Sequence, residues 1–125
     1  MEFIEAPSFT CYLPKYLTDD EYLRLQTLLA ADPERGDLMP GTGGFRKLRW
    51  AEPTRGKGRR GGLRIIYYFF LADQQIWLMT LYDKDEAADL TPKEKKMLKN
   101  AIEVELQARQ AKRHLRTTKA GRTRK

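Results

Sequence analysis

With 125 residues, 41% of them hydrophobic and 33% charged, the chain suffices for one domain with a modest core and is too short for two of ordinary size. A formal net charge of +7 points to a polyanionic partner, nucleic acid or ribonucleoprotein. The single cysteine, Cys11, excludes an intrachain disulfide and a cysteine metal cluster and reads as a small buried hydrophobe.

The longest apolar run, Ile65 to Ala72, is too short to cross a bilayer. Glu2 and Glu5 stand where a secretory signal would carry positive charge, so a soluble cytoplasmic protein is expected. Residues Phe3 to Phe9, with Pro7 limiting regular pairing, read as an edge strand or an extended lead-in. Thr18 followed by Glu21 is a capping box. It opens an amphipathic helix over Asp19 to Ala31, with Tyr22, Leu25, Leu28 and Leu29 on one flank, which Asp32-Pro33 ends.

Glu34 to Gly44 is glycine-rich and reads as loop. Phe45 to Trp50 alternates, placing Leu48 and Trp50 towards the core and Lys47 and Arg49 together on the exposed side. Ala51 to Gly62 is a low-order basic connection, and the branched and aromatic stretch Leu63 to Leu71 reads as a central strand. Ala72 to Gln75 is a hairpin loop and Ile76 to Tyr82 the partner strand. If the loop is three residues long, Arg64 faces Tyr82; a four-residue loop shifts the pairing by one.

A second capping box, Thr91 to Glu94 with Pro92 at the first helical position, starts a C-terminal helix. The stripes Met97, Ala101, Val104, Ala108 and Leu98, Ile102, Leu106 should cover one face of the sheet, with the helix ending near Arg109 or Arg113. Residues 1–112 then form the domain. Residues 113–125 form a basic tail, expected to be flexible or helical only when bound. The fold expected is α+β: an antiparallel sheet of three to four strands with an N-terminal and a C-terminal helix packed on it.

From Arg46 to Arg64 there are eight basic residues (Arg46, Lys47, Arg49, Arg55, Lys57, Arg59, Arg60, Arg64) against one acid, Glu52. The one histidine, His114, cannot supply a two-histidine ribonuclease site. Asp83, Asp85, Glu86 and Asp89 read as a solvated, helix-preceding turn rather than a metal site. The glycines of GTGG and GKGRRGG match no P-loop. Cleavage of RNA through its own 2′-hydroxyl asks less of a protein. The substrate carries the nucleophile, and positioned cations and proton carriers do the rest without metal or cofactor. Arginine suits phosphate, a lysine among cations is a candidate base, and Tyr82 could stack on a nucleobase.

The order of elements, together with RKLR, GKGRRGGLRIIYY and LYDKDE, resembles the RelE/HigB superfamily of bacterial toxins, its HigB branch above all, from about Tyr12 to Ala108. The resemblance implies the toxin of a type II toxin-antitoxin system. Such a toxin is a metal-independent endoribonuclease that enters the A site of the 70S ribosome and cuts the bound messenger RNA, leaving a 2′,3′-cyclic phosphate. It also implies a co-encoded HigA-like helix-turn-helix antitoxin as partner, a monomeric free toxin and no membrane association. Carried over residue by residue, Lys47 and Arg49 match the basic pair before the loop, with Lys47 the better base, because arginine holds its proton too tightly. Arg64 matches the phosphate clamp and Lys84 the general acid; with no later tyrosine, either Tyr82 takes the stacking role or the role is absent. Arg46, Arg55, Lys57, Arg59 and Arg60 are assigned to RNA contacts. Two other readings stand beside this one: a basic nucleic-acid or ribosome-binding protein without catalysis, and a structural subunit acting only through a protein partner.

Overall fold

The structure, a computed structural model, describes residues 1–50, 62–86 and 89–123, with the side chains of the last helix described as far as Leu115. Its strands are β1 (Glu2–Glu5), β2 (Asp37–Leu38), β3 (Arg46–Trp50), β4 (Leu63–Phe70) and β5 (Gln75–Asp83), and its helices are α1 (Pro7–Tyr16), α2 (Asp19–Ala31) and α3 (Pro92–Thr123). The strands form one sheet in the order β1-β5-β4-β3-β2. The α+β class expected from the sequence is the observed one. The sheet departs from expectation in having five strands rather than three or four, and in being mixed. The edge strand β1 runs parallel to β5, while all other neighbours are antiparallel.

Strand β4 dictates the layering. Its sequence LRIIYYFF is apolar on both faces, so the sheet needs cover on each. On one face Leu63, Ile65 and Tyr67 join Leu48, Leu78 and Leu81 against Phe9 and Tyr16 of α1 and Leu25 and Leu29 of α2. On the other, Ile66 and Phe70 join Met39 and Phe45 beneath Ile102 of α3. Helix α2 starts where its capping box predicts. Thr18 N–H donates to Glu21 Oε1 at 2.8 Å, and Glu21 N–H donates to Thr18 Oγ1 at 3.2 Å.

Helix α1 was not legible in the sequence. Pro7, read as a strand breaker, sits in the first turn of α1, where its missing N–H costs nothing. Phe9 and Tyr16 are buried and Leu13 packs against them. Cys11 is exposed rather than buried, because the stripe Phe9, Leu13, Tyr16 faces the sheet and position 11 turns away from it.

The β4–β5 hairpin holds a compensation that matters for the site. Its loop, Leu71 to Gln74, has four residues, and the pairs next to it, such as Tyr67 with Leu78, follow the shifted register. A bulge then leaves Met79 unpaired, so that beyond it Ile66 faces Thr80 and Arg64 faces Tyr82. A one-residue slip exchanges the faces of a strand. Without the bulge Arg64 would oppose Leu81, and Tyr82 would turn to the other side of the sheet.

Helix α3 covers the second face with a single stripe. Ile102 is buried and Leu98 half-buried, whereas Met97 and Val104 are more than 60% exposed, so the stripe through Met97, Ala101, Val104 and Ala108 does not face the sheet as expected. Arg109 continues the inward stripe. Its guanidinium lies 3.7 Å from the centre of the Phe70 ring and bonds Asp73 and Glu105, both at 2.8 Å. The helix runs to Thr123, past the stop expected near Arg109 or Arg113.

Candidate active site

Strand register brings the basic residues together. Arg49 of β3 pairs with Arg64 of β4, which pairs with Tyr82 of β5, so the three form one row across the sheet. Lys47, two residues before Arg49, shares that face in the next row, where it pairs with Ile66. Alternation along RKLRW sets this face, since Leu48 is buried on the other side. Arg49 is exposed and Lys47 partly exposed. Arg64 is only 8% exposed, with its Nη1 donating to Leu63 O at 3.3 Å.

Lys84 lies at the same end of the sheet. Its backbone N–H donates to Gly62 O at 2.9 Å, extending the β4–β5 ladder one step beyond the Leu63–Asp83 pair. Its side chain is exposed. Four of the five proposed catalytic residues therefore share a face, and the fifth stands at its rim.

Arg46, expected among the RNA contacts, is on the opposite face. Its guanidinium donates to Glu34 O at 3.0 Å and Gly36 O at 2.8 Å and pairs with the Glu34 carboxylate at 3.2 Å, tying the loop before β2 to the sheet. The structure does not bring it to the Lys47–Arg64 group. Arg55, Lys57, Arg59 and Arg60 lie outside the described residues.

One residue of the cluster was missed. Asp89 accepts a hydrogen bond from Tyr82 OH at 2.8 Å with one carboxylate oxygen and contacts Lys47 Nζ at 3.1 Å with the other. Leu90 N–H donates to the first oxygen at 2.9 Å. The Tyr82 bond, then the Leu90 amide and the Lys47 ammonium, hold the Asp89 carboxyl down to about 2. Burial above all, and then the bond to Asp89, push the Tyr82 phenol above its ordinary range, so Tyr82 acts as a donor rather than a base near neutral pH. In the sequence Asp89 is one of three acids between β5 and α3, and nothing in its spacing separates it from Asp85.

Beside Tyr82 an apolar cleft of about 560 Å³ opens between α1 and α3, with Tyr12, Leu81, Leu90 and Met97 among its lining residues. Tyr82 thus stands between a cationic row and an apolar hollow, as a residue holding a nucleobase beside its phosphate would. Among the described residues no group of three or more His, Cys, Asp or Glu side chains could hold a metal ion, and no helix is long and apolar enough to cross a membrane.

Chemically, the face offers two guanidinium groups, an ammonium and a phenol within three adjacent strands. That set can bind the non-bridging oxygens of a phosphodiester and carry protons at its flanks. No family model matches the sequence.

Proposed function

We propose that the chain is the toxin of a type II toxin-antitoxin system. It acts in the cytoplasm as a ribosome-dependent, metal-independent endoribonuclease on messenger RNA held in the A site, until a helix-turn-helix antitoxin neutralises it. The observation that carries this reading is the Arg49–Arg64–Tyr82 row with Lys47 on the same face. The 2′-oxygen of the substrate attacks the adjacent phosphorus, forming the cyclic phosphate as the bond from phosphorus to the 5′-oxygen breaks. Lys47, in its neutral amine form, takes the proton from the 2′-hydroxyl, and Lys84, as an ammonium, delivers one to the departing 5′-oxygen. Arg64 and Arg49 hold the phosphoryl oxygens, whose charge grows as the fifth bond forms. Tyr82 stacks on or orients the neighbouring base. The ribosome supplies the in-line geometry of the message, so the protein needs few base-reading groups.

The test is expression of the intact chain in cells with primer-extension mapping of messenger ends. New 5′ ends within translated codons are expected, and Arg64→Ala or Lys47→Ala should lower cleavage by about 10²–10³-fold, the usual scale for one lost transition-state donor. Co-sedimentation with ribosomes should survive both substitutions. The charge of +7 favours one rival, a ribosome-binding protein without catalysis, which predicts that cleavage and ribosome association fall in parallel. Absence of cleavage under every condition would leave a subunit that works only through a partner.

A further inference from the structure

The Asp89 carboxylate occupies a telling place. Lys47 lies in β3 and Tyr82 in β5, one on each side of β4, and neighbouring strands are about 4.8 Å apart. A carboxylate that touches Lys47 with one oxygen and Tyr82 with the other therefore stands over β4, at the rows that hold Ile66 and Arg64. Arg64 is near enough to act on the charge of the Tyr82 phenol. The donors around the carboxylate are an ammonium, a phenol and the Leu90 amide, the types that recognise any tetrahedral or planar oxyanion. Asp89 is attached two residues ahead of the capping box that begins α3, in which Thr91 N–H donates to Glu94 Oε1 at 2.9 Å and Glu94 N–H to Thr91 Oγ1 at 3.1 Å. It thus sits close to the sheet, just ahead of a capped helix start.

We propose that this place over β4 is the binding site for one phosphodiester of the RNA, and that the Asp89 carboxylate is its resident intramolecular competitor. The inference rests on the reading of RNA as the ligand and adds a selection step to it. A phosphate gains Lys47 and Tyr82 only by displacing Asp89. A single phosphate of a free strand in dilute solution competes poorly with a group tethered a few ångströms away. A message fixed on the ribosome presents its phosphate at high local concentration and displaces the carboxylate. Discrimination against free RNA then resides partly in one acidic side chain.

The experiment measures fluorescence anisotropy of a labelled 2′-O-methyl hexaribonucleotide, which cannot be cleaved, with the full chain and no ribosome. Asp89→Asn should tighten binding by about three- to fivefold, the upper end of the scale for one partly exposed ion pair removed. Asp85→Asn changes the net charge equally in the same turn and should tighten it less than about twofold. In a Lys47→Ala background the gain from Asp89→Asn should fall to less than half, since of the two side chains it releases only Tyr82 is left. Asp89→Ser, which keeps an acceptor for the Leu90 amide, should behave as Asp89→Asn does. The proposal is overturned if either folded Asp89 variant binds no better than the Asp85 variant, or if the gain persists undiminished without Lys47. Because no cleavage is read, a chain that never cuts messages but shows this pattern loses the catalytic proposal and keeps the phosphate site. The converse result removes only the competitor.

Discussion

At the scale of single residues, the hydroxyl of Tyr67 shows how much one atom can organise. It donates to Pro33 O and accepts from Gly36 N–H, each at 2.8 Å, in a fully buried side chain at the centre of β4. That clamps the loop leading to β2 over the core, and a Cβ on Gly36 would meet the Tyr67 ring at 2.9 Å, so no larger residue fits there without movement. Tyr67→Phe removes one partner from each of two backbone groups and leaves the Gly36 N–H buried and unpaired. A loss of about 1–3 kcal/mol is expected, read as a lower urea midpoint with an unchanged slope. A change below about 0.5 kcal/mol would show that water replaces the hydroxyl. The sequence marks Tyr67 only as one apolar residue in an apolar strand, because its two partners lie more than 30 positions away.

At the scale of elements, α3 separates pattern from packing. Its two apolar stripes look equivalent in sequence, yet only the one through Leu98 and Ile102 meets the sheet. The choice is made by the loop before β3. Gly43, with φ of 77°, lets the chain pass so close that a Cβ there would come within 2.9 Å of Ile102 Cγ2. Ile102→Ala should therefore cost about 2–5 kcal/mol, and Met97→Ala less than about 0.5 kcal/mol, in denaturant unfolding. Equal costs would mean that Met97 is covered in solution. The bulge at Met79 belongs to the same scale. Propensity identifies β4 and β5, but the extra residue that returns Tyr82 to the side of Arg64 is visible only in the paired strands.

At the scale of the whole molecule, Asp89 joins β3 and β5 through its contacts with Lys47 and Tyr82, and the amide of Leu90 beside it donates to the same carboxylate. Its carboxyl is held at about 2, below the ordinary 3.8, and the carboxyls of Glu86 and Glu94 are lowered too, the first by Lys15 and the second by the Thr91 amide. Groups whose folded value is depressed add stability above their unfolded value and lose it as pH falls through the folded one. Melting temperature should thus hold from neutral pH to about 4 and then decline towards pH 2. In Asp89→Asn that decline should be shallower. An unchanged acid limb in the variant would mean that the Lys47–Asp89–Tyr82 contacts do not outlast the motion of the exposed side chains.

The sequence by itself determined what depends on neighbours along the chain: the capping boxes at Thr18 and Thr91, helix α2, the alternation that sets Lys47 and Arg49 apart from Leu48, and the apolar character of β4. Each rests on local hydrogen bonding or on a periodicity that a short window contains. Tertiary structure alone decided the parallel edge strand β1, the rotation of α3, the ties of Arg46 to Glu34 and Gly36 and the reach of Asp89 across β4. These depend on which surfaces meet at long separation in the chain. There a single unpaired residue or one close glycine contact selects between arrangements that local propensity leaves equal.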